Sequence, residues 1–136
     1  MNEANTKYLF KNFSFFKSDK PITESLMRFG FACGDGWFRL VKELYEKLQA
    51  PDLDEQFEVI QVKEKLGGLR FYTNISYTNT RGINFDKEEQ VNRFIREAEE
   101  KSFKTCEDCG KPGKPNSRKF SYEWISTLCR KCRKKV

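Results

Sequence analysis

Four of the five cysteines form two closely spaced pairs in the last quarter of the chain. Two residues separate Cys106 from Cys109, two separate Cys129 from Cys132, and 19 residues lie between the pairs. This spacing is typical of a four-cysteine zinc site, because a tight turn of two residues directs both sulfurs of a pair at one ion. The sequence therefore predicts that these four thiolates bind zinc.

The predicted zinc is structural rather than catalytic. Four thiolates would fill a tetrahedral site, whereas catalytic zinc keeps a position open for water, and the chain has no histidine. Since residues 104–134 have few apolar side chains, we expect metal removal to unfold them while sparing much of the remainder. Two alternatives stay open: a pair of disulfides, which needs an oxidising compartment, and a redox dithiol, which needs a thioredoxin-like context.

No catalytic signature accompanies the cysteines. The chain has no phosphate-binding glycine loop, nucleophile elbow or paired-carboxylate motif. Asp35 and Glu64 are the carboxylates in the most constrained contexts, but Asp35 is placed to cap a helix and Glu64 to pair with a neighbouring cation. Cys33, the remaining cysteine, is expected to be a buried core thiol. We therefore predict a protein that is not an enzyme.

Positive charge is concentrated around the cysteine pairs. Residues 1–100 carry a net charge of −2, whereas residues 101–136 carry +8 and give the chain its overall +6. Such a segment is suited to bind nucleic acid or nucleotide phosphates, although a solvated lysine-rich tail is an equally simple explanation. The candidate contacts in this segment are Lys114, Lys119, Arg130, Lys131 and Arg133.

A second candidate surface lies in the sequence QVKEKLGGLRFY at residues 61–72. β-Branched and aromatic residues around two glycines predict an antiparallel hairpin of residues 57–64 with 69–76. If the apolar residues face inward, the opposite face presents cations and an aromatic ring, which suit a ligand with phosphates and a base. An ordinary charged outer face is the alternative. The residues of this candidate site are Lys63, Lys65, Arg70 and Tyr72.

Two amphipathic helices are predicted to pack against this hairpin. Apolar residues recur at helical spacing between Asp35 and Pro51, and again over residues 86–103. Residues 1–21 have no clean period and are expected to form an arm packed against the body, either irregular or with a short strand. Residues 23–31 are expected to form a short helix. The apolar stripes comprise Trp37, Leu40, Val41, Leu44 and Leu48 in the first helix and Val91, Phe94, Ile95 and Ala98 in the second.

The predicted fold class is α+β, with a small antiparallel β-hairpin or sheet, two main helices and a C-terminal four-cysteine zinc-ribbon-like module. The composition changes after Phe103 to Cys, Gly, Pro and Lys. We therefore predict an α+β body over residues 1–103 and a basic zinc-ribbon-like module over residues 104–136, packed on or following the body. A loop at 111–117 and a strand at 118–126 are expected to connect the cysteine pairs.

The sequence shows no sign of export or of membrane insertion. The first 19 residues have no continuous hydrophobic stretch and no small-residue cleavage site. No segment is apolar over the length that a transmembrane helix requires. We therefore expect a cytoplasmic protein with no membrane partner, in a reducing compartment where its cysteines remain thiols.

Several motifs resemble a family of short, mostly uncharacterised proteins encoded by bacteriophages and prophages. The matching stretches are GFACGDGW (30–37), QVKEKLGGLRFY (61–72), CEDCGKPG (106–113) and WISTLCRKC (124–132). Leu66 stands where that family usually has phenylalanine, and Cys132 where some relatives have histidine. The resemblance implies a phage or prophage accessory protein with a zinc knuckle in the cytoplasm of a bacterial host, and it brings no catalytic residues.

Two functions of different classes are consistent with these features. In the first, the protein binds an anionic ligand, either nucleic acid or a nucleotide signal, and acts in phage–host conflict. In the second, it docks on a host protein and inhibits or redirects a defence or transcription component, with exposed aromatic residues as anchors. Salt dependence separates the two hypotheses, because phosphate contacts weaken steeply as salt rises.

Overall fold

The computed structural model describes residues 1–53, 57–74, 85–118 and 121–135. Over these residues the chain has the predicted α+β fold, with a three-stranded sheet, a two-stranded sheet and four helices. The helices are α1 (Glu3–Asn12), α2 (Phe38–Leu48), α3 (Phe85–Ser102) and α4 (Arg130–Arg133). The strands are β1 (Phe31–Ala32), β2 (Val59–Lys65), β3 (Gly68–Thr73), β4 (Lys114–Arg118) and β5 (Ser121–Leu128). Among these helices, none combines the length and the apolar character needed to cross a bilayer.

The three-stranded sheet has the order β1-β2-β3 and contains the predicted hairpin as β2 and β3. β2 and β3 are antiparallel, with Val62 opposite Phe71, whereas the short strand β1 runs parallel to β2. Both hairpin strands differ slightly from the predicted 57–64 and 69–76. At the turn each strand extends one residue further than predicted, and at the open end of the hairpin β2 begins at Val59 and β3 ends at Thr73. Residues 75–76 lie outside the described ranges.

A tight two-residue turn joins β2 to β3. Leu66 and Gly67 both have positive φ, 53° and 84°, which is the combination of a type I′ turn, whose twist matches that of the flanking strands. Glycine adopts positive φ without steric cost, whereas a leucine in this region costs about 1–2 kcal/mol. Strand pairing on both sides must therefore hold Leu66 in place.

Helix α2 packs on α3, and α3 packs on β3. The buried residues of both helices and of the inner face of the sheet belong to one core cluster. Both helix predictions are confirmed, since the predicted stripes face the core and only Phe94 is partly exposed. The inner face of the hairpin is apolar and almost fully buried. Its buried residues are Val59, Val62, Leu69 and Phe71. The core of the protein thus lies between one sheet face and two helices.

The predicted arm over residues 1–21 packs against the body through Leu9, Phe13 and Phe16, but its first part is helical, which the sequence did not predict. Residues Glu3–Asn12 form helix α1, which Asn2 caps by accepting a hydrogen bond of 2.8 Å from the backbone N–H of Asn5. Only Leu9 of this helix is buried. A helix that buries a single residue leaves no apolar period in the sequence, which is why the pattern did not reveal it.

The predicted short helix over residues 23–31 is reduced to one 3-10 turn at Met27–Phe29, which Gly30 ends with a φ of 79°. The backbone N–H of Leu26 donates to the carbonyl of Ile60 in β2 at 2.7 Å. This bond holds Leu26 against the neighbouring strand with φ −101° and ψ 8°, which are not helical values. Tertiary hydrogen bonding therefore overrides the local helical signal here.

The segment between the cysteine pairs is a two-stranded ribbon, which corrects the predicted loop at 111–117. Strand β4 occupies most of that segment and pairs antiparallel with β5, the strand predicted at 118–126. Pro115 lies opposite Thr127 in this ribbon. Because each strand of a two-stranded sheet is an edge strand, β4 tolerates a proline that has no N–H to donate. Residues 119–120 are outside the described ranges.

Side chains of α3 cover the outer edge of β3. The Ser102 hydroxyl accepts from the backbone N–H of Leu69 at 2.8 Å, and the Glu99 carboxylate accepts from that of Phe71 at 3.2 Å. Burial raises the pKa of Glu99, whereas its bond to the Phe71 amide and the nearby Arg70 lower it. An edge strand with its amides satisfied in this way does not offer itself for pairing with another chain.

Candidate metal centre

The four cysteines predicted to bind metal converge at one point. Their sulfurs all lie within 4.8 Å of one another, and the sulfurs of Cys109 and Cys129 are 3.6 Å apart. A tetrahedron with Zn–S bonds of about 2.3 Å has edges of about 3.8 Å, so the spacing fits one ion. It does not fit a disulfide, whose sulfurs are about 2.05 Å apart. The arrangement could therefore hold one metal ion on four sulfur donors.

Burial differs among the four donors. Cys106 and Cys132 are buried, Cys129 is partly exposed and Cys109 is exposed. The buried pair packs with Leu128 in a small apolar cluster that is separate from the main core. One side of the metal would therefore face protein and the other side solvent, with all four donors supplied by the chain.

The first cysteine pair lies in a tight knuckle formed by residues 106–111. The backbone N–H of Cys106 donates to the carbonyl of Lys111 at 2.7 Å, and that of Gly110 donates to the carbonyl of Cys106 at 2.9 Å. Gly110 has a φ of 82°. Glycine adopts this conformation at no steric cost, so the turn can bring both sulfurs of the pair to the same side.

The second cysteine pair lies at the start of α4. The sulfur of Cys129 accepts a hydrogen bond of 3.4 Å from the backbone N–H of Cys132. This bond lowers the pKa of Cys129 to about 6, whereas burial raises the pKa of Cys132 to about 12. Without metal, Cys129 would therefore lose its proton well before Cys132, whereas metal binding requires thiolates at all four positions.

The turn formed by residues 34–37, the GDGW sequence, docks directly on the first knuckle. The carboxylate of Glu107 accepts a hydrogen bond of 2.9 Å from the backbone N–H of Gly34. The backbone carbonyl of Glu107 accepts one of 2.6 Å from the backbone N–H of Gly36. The indole N–H of Trp37, a fully buried core residue, donates to the carbonyl of Thr105 at 2.9 Å. Three hydrogen bonds thus connect the core to the segment that carries the metal donors.

The two glycines of this turn are required by the close approach of the knuckle. A Cβ atom on Gly34 would lie 2.4 Å from the carbonyl oxygen of Glu107, and one on Gly36 would lie 2.1 Å from that of Cys106. Neither glycine has a positive φ. The space taken up by the opposing backbone, rather than backbone conformation, therefore excludes any side chain at these positions.

The structure corrects the predicted role of Asp35 as the N-cap of α2. A 3-10 turn at Asp35–Trp37 precedes the helix, and no side chain caps either element by a hydrogen bond. The Asp35 carboxylate instead accepts from the backbone N–H of Asn2 at 2.7 Å and from the side chain of Asn5 at 3.2 Å. Asp35 therefore anchors the N-terminus of α1, which the sequence pattern did not reveal.

A second connection joins the hairpin turn to β5. The hydroxyl of Thr127, which is fully buried, donates to the carbonyl of Gly67, and the carbonyl of Thr127 accepts from the backbone N–H of Glu107 at 2.9 Å. A Cβ atom on Gly68 would lie 2.3 Å from the ring of Phe103. Thr127 thus links the hairpin turn, the ribbon and the first knuckle.

Thr127→Val is expected to lower the free energy of unfolding by about 1–3 kcal/mol. Valine preserves the shape of threonine but leaves the buried carbonyl of Gly67 without its donor. Thr105→Val is the matched control, because the Thr105 hydroxyl bonds to the carbonyl of Lys101 at an exposed site and its loss should cost less than about 0.5 kcal/mol. Urea unfolding of both variants checks the prediction, and equal effects would contradict it.

Neither the family models, nor the curated proteins, nor the solved structures contain a match to this chain. Function must therefore be inferred from the residues of the site and of the surfaces around it.

The hairpin residues predicted to bind a ligand share one face of the sheet. Lys63 lies opposite Arg70 and Gln61 opposite Tyr72, so these side chains project to the same side. Lys65 and Tyr72 are exposed, and Lys63 and Arg70 are partly exposed. The structure therefore brings all four predicted residues of this surface together on the face opposite the core.

The predicted cations near the metal centre lie on the ribbon and α4. Lys114, Arg130 and Lys131 are exposed, whereas Arg133 is partly buried and its Nε makes no hydrogen bond to the described residues. Lys119 is outside the described ranges. Lys111, Lys134 and Lys135, which lie close to the cysteines in sequence, are exposed as well but were not predicted individually.

Cys33 is buried in the main core, as predicted, and does not contribute to the metal centre. Burial raises the pKa of its thiol to about 12. Gly34, Gly36 and Glu107, in contrast, were missed as residues that support the site. The only sequence signal for them is the pair of glycines flanking Asp35, which a capped helix alone would not require.

Proposed function

We propose that this chain is a zinc-binding accessory protein, not an enzyme, whose basic metal-binding segment binds nucleic acid or a nucleotide through phosphate contacts. The segment in question, called the zinc module below, comprises residues 104–135. The observation that carries the proposal is the combination of a cluster of four sulfurs with exposed cations in the same segment.

Zinc is the metal that suits this donor set best. Four thiolates in tetrahedral arrangement select Zn²⁺ or iron, and structural zinc sites use this set widely. All four donors come from the chain, so the bound ion would keep no position for water or substrate. A structural role follows from that saturation, and measuring bound metal by mass spectrometry under native conditions distinguishes zinc from iron.

The exposed cations of the zinc module form no ion pair with another described residue and can meet an external anion. Within the described residues, the ion pairs are Lys7 with Glu3 and Lys20 with Glu24, both far from the module in sequence. Clustered cations without partners create a positive potential that attracts phosphates and releases counterions on binding. The exposed cations of the module are Lys104, Lys111, Lys114, Arg130, Lys131, Lys134 and Lys135.

A salt series with charge variants tests this function. Replacing both Arg130 and Lys131 by alanine is expected to weaken binding of a labelled oligonucleotide and to reduce the slope of log K against log salt by about 1–2. The double substitution of Lys11 and Lys47, two exposed lysines of the body, removes equal charge and should leave the slope unchanged. Equal slopes for all three proteins, or no binding to DNA, RNA or nucleotides, would contradict the proposal.

A protein partner is the second candidate, and one surface favours it. Phe29 is 72% exposed and Ile22 57% exposed, with Leu26 between them in sequence at 37%. Large apolar side chains exposed in one short segment are typical of a docking site for another protein. A partner captured from host lysate that resists high salt and requires Phe29 would support this candidate over nucleic acid.

The resemblance to phage and prophage proteins supports a role in phage–host conflict within the bacterial cytoplasm. In that setting the nucleic-acid function would act on phage or host nucleic acid or on a nucleotide signal. The protein-partner function would instead inhibit or redirect a host defence or transcription component. An affinity purification from host lysate that identifies both proteins and co-purifying nucleotides separates these two outcomes.

A further inference from the structure

We propose that the outer face of the three-stranded sheet binds single-stranded nucleic acid, with Tyr72 stacking on a base and nearby cations contacting phosphates. This inference rests on the proposed nucleic-acid function and narrows it to unpaired strands. The surface, called the open sheet face below, comprises Ala32, Gln61, Lys63, Lys65, Arg70 and Tyr72.

Strand register places these side chains on one surface. Ala32 of β1 lies opposite Lys63 of β2, which lies opposite Arg70 of β3. Tyr72 follows two residues after Arg70, so its side chain projects to the same side. The open sheet face therefore extends across all three strands, with cations at its centre and an aromatic ring on one strand.

Among the residues that the structure describes, no helix packs on the open sheet face. Helices α2 and α3 contact each other, and α3 contacts β3 on the inner side, where Leu69 and Phe71 are buried. Tyr72 is 41% exposed, and Ala32 is exposed as well. A ligand can therefore approach this side of the sheet without displacing an element that is part of the described structure.

The charges on the open sheet face favour phosphates. Lys63, Lys65 and Arg70 supply three positive charges. Glu64, the acidic residue between the two lysines, lies opposite Leu69 and so belongs to the inner side. Glu99 lies near Arg70, but its carboxylate is bonded to the Phe71 amide at the edge of β3. The face therefore has a net positive charge around an exposed aromatic ring.

An aromatic ring on a basic sheet face selects unpaired bases. In a duplex both faces of each base are covered by neighbouring bases, so a ring cannot stack on them without unpairing. In a single strand every base offers a flat face, and sheets that bind such strands use aromatic residues in this way. The same surface would serve DNA and RNA, and the two are distinguished only by contacts to the 2′-hydroxyl.

The open sheet face and the zinc module are held together. The hairpin turn bonds to β5 through Gly67 and Thr127, and β5 leads into the second knuckle and the cations of α4. A strand bound on the sheet would therefore meet further positive charge on the module. This continuity explains why the protein would place cations on both surfaces rather than on one.

The test compares tyrosine variants by fluorescence anisotropy with labelled oligothymidylate and oligouridylate of about 12 nucleotides. Tyr72→Ala is expected to weaken single-strand binding about tenfold, whereas Tyr72→Phe, which keeps the ring, should bind as the unaltered protein does. Tyr8→Ala is the matched control, because Tyr8 is 40% exposed but lies on α1. Bound metal should be unchanged in all three variants, and thermal unfolding should be unchanged in Tyr72→Phe. Tyr8→Ala removes ring contacts with Phe13 and Phe38 and is expected to lower stability without weakening single-strand binding. A duplex of the same length should bind more weakly and be insensitive to Tyr72.

The outcomes separate this inference from the proposed function. If Tyr72→Ala binds single strands as the unaltered protein does, or loses duplex binding equally, the inference is wrong. The function proposed for the zinc module still holds in that case, provided that the Arg130 and Lys131 substitutions weaken binding. If the unaltered protein binds no nucleic acid, the inference is wrong, and the proposed function is wrong as well if nucleotides also fail to bind. Lys63→Ala with Lys65→Ala should reduce the salt slope, whereas Tyr72→Ala should leave it unchanged.

Discussion

Removing the metal is expected to unfold the zinc module and to lower the stability of the body as well. Zinc contributes about 10–16 kcal/mol of apparent folding free energy in small four-ligand peptides, which exceeds the net stability of most domains. In this chain the module also supplies acceptors for the backbone N–H groups of Gly34 and Gly36 and for the indole of Trp37. The loss of three such bonds costs the body about 3 kcal/mol.

We therefore expect chelation to lower the unfolding temperature by at least about 10 °C. Hydrogen exchange should show lost protection over residues 104–134 and also in the turn at residues 34–37. Cys132→Ala should give the same result and lose its metal, whereas Cys33→Ala, which removes a buried sulfur outside the site, should retain one metal per chain. A metal-free protein whose turn at 34–37 stays protected would contradict the expectation, and would instead match a module that follows the body without docking on it.

Gly36→Ala is expected to lower the free energy of unfolding by about 3 kcal/mol or more, a large effect for the addition of one methyl group. The new Cβ would lie 2.1 Å from the carbonyl oxygen of Cys106 and 2.6 Å from the carbonyl carbon of Glu107. Because all of these are backbone atoms, no side chain can rotate away, and the knuckle must move as a whole. That movement breaks the bond between Gly36 and Glu107 and displaces the donor Cys106.

Gly30→Ala provides the comparison, since Gly30 has a φ of 79° but its Cβ would meet only a methyl group of Thr6 at 3.7 Å. This variant should lower the free energy of unfolding by about 1–3 kcal/mol through backbone strain alone, and it should bind metal as the unaltered protein does. Urea unfolding and competition with a zinc indicator measure the two effects. If Gly36→Ala binds zinc as tightly as Gly30→Ala does, the knuckle does not depend on the docking turn.

The sequence predicted those features of the fold and of the site that depend on residues close together in the chain. The four cysteines, the two apolar stripes and the glycine-containing hairpin turn each leave a pattern within a few residues, and the structure has the sulfur cluster, both helices and the hairpin. Helix α1 left no such pattern because it buries only Leu9. Strand β4 was missed because Pro115 argues against a central strand, whereas its ribbon has only edges.

The docking of residues 34–37 on the knuckle could not be predicted for a different reason. Gly36 and Cys106 are brought together by the tertiary fold. Neither the spacing of apolar residues nor the composition of one segment indicates that it contacts the other segment. The role of Asp35 was predicted wrongly for the same reason, since its partners Asn2 and Asn5 lie more than one element away. Contacts of this kind can be seen only once the elements have been placed relative to one another.

The bond between Gly34 and Glu107 spans 73 residues of sequence, which has a consequence for how the protein folds during synthesis. At about 5–20 residues per second, the turn at 34–37 leaves the ribosome roughly 4–15 seconds before its partner is made. For that interval the amides of Gly34 and Gly36 can bond only to water, while the hairpin and α2 can already form. Capture of the metal, which requires Cys132, is therefore expected to follow the formation of the body and to complete folding. In a cell short of zinc, the product would be a chain that stops at this last step, with its docking turn exposed.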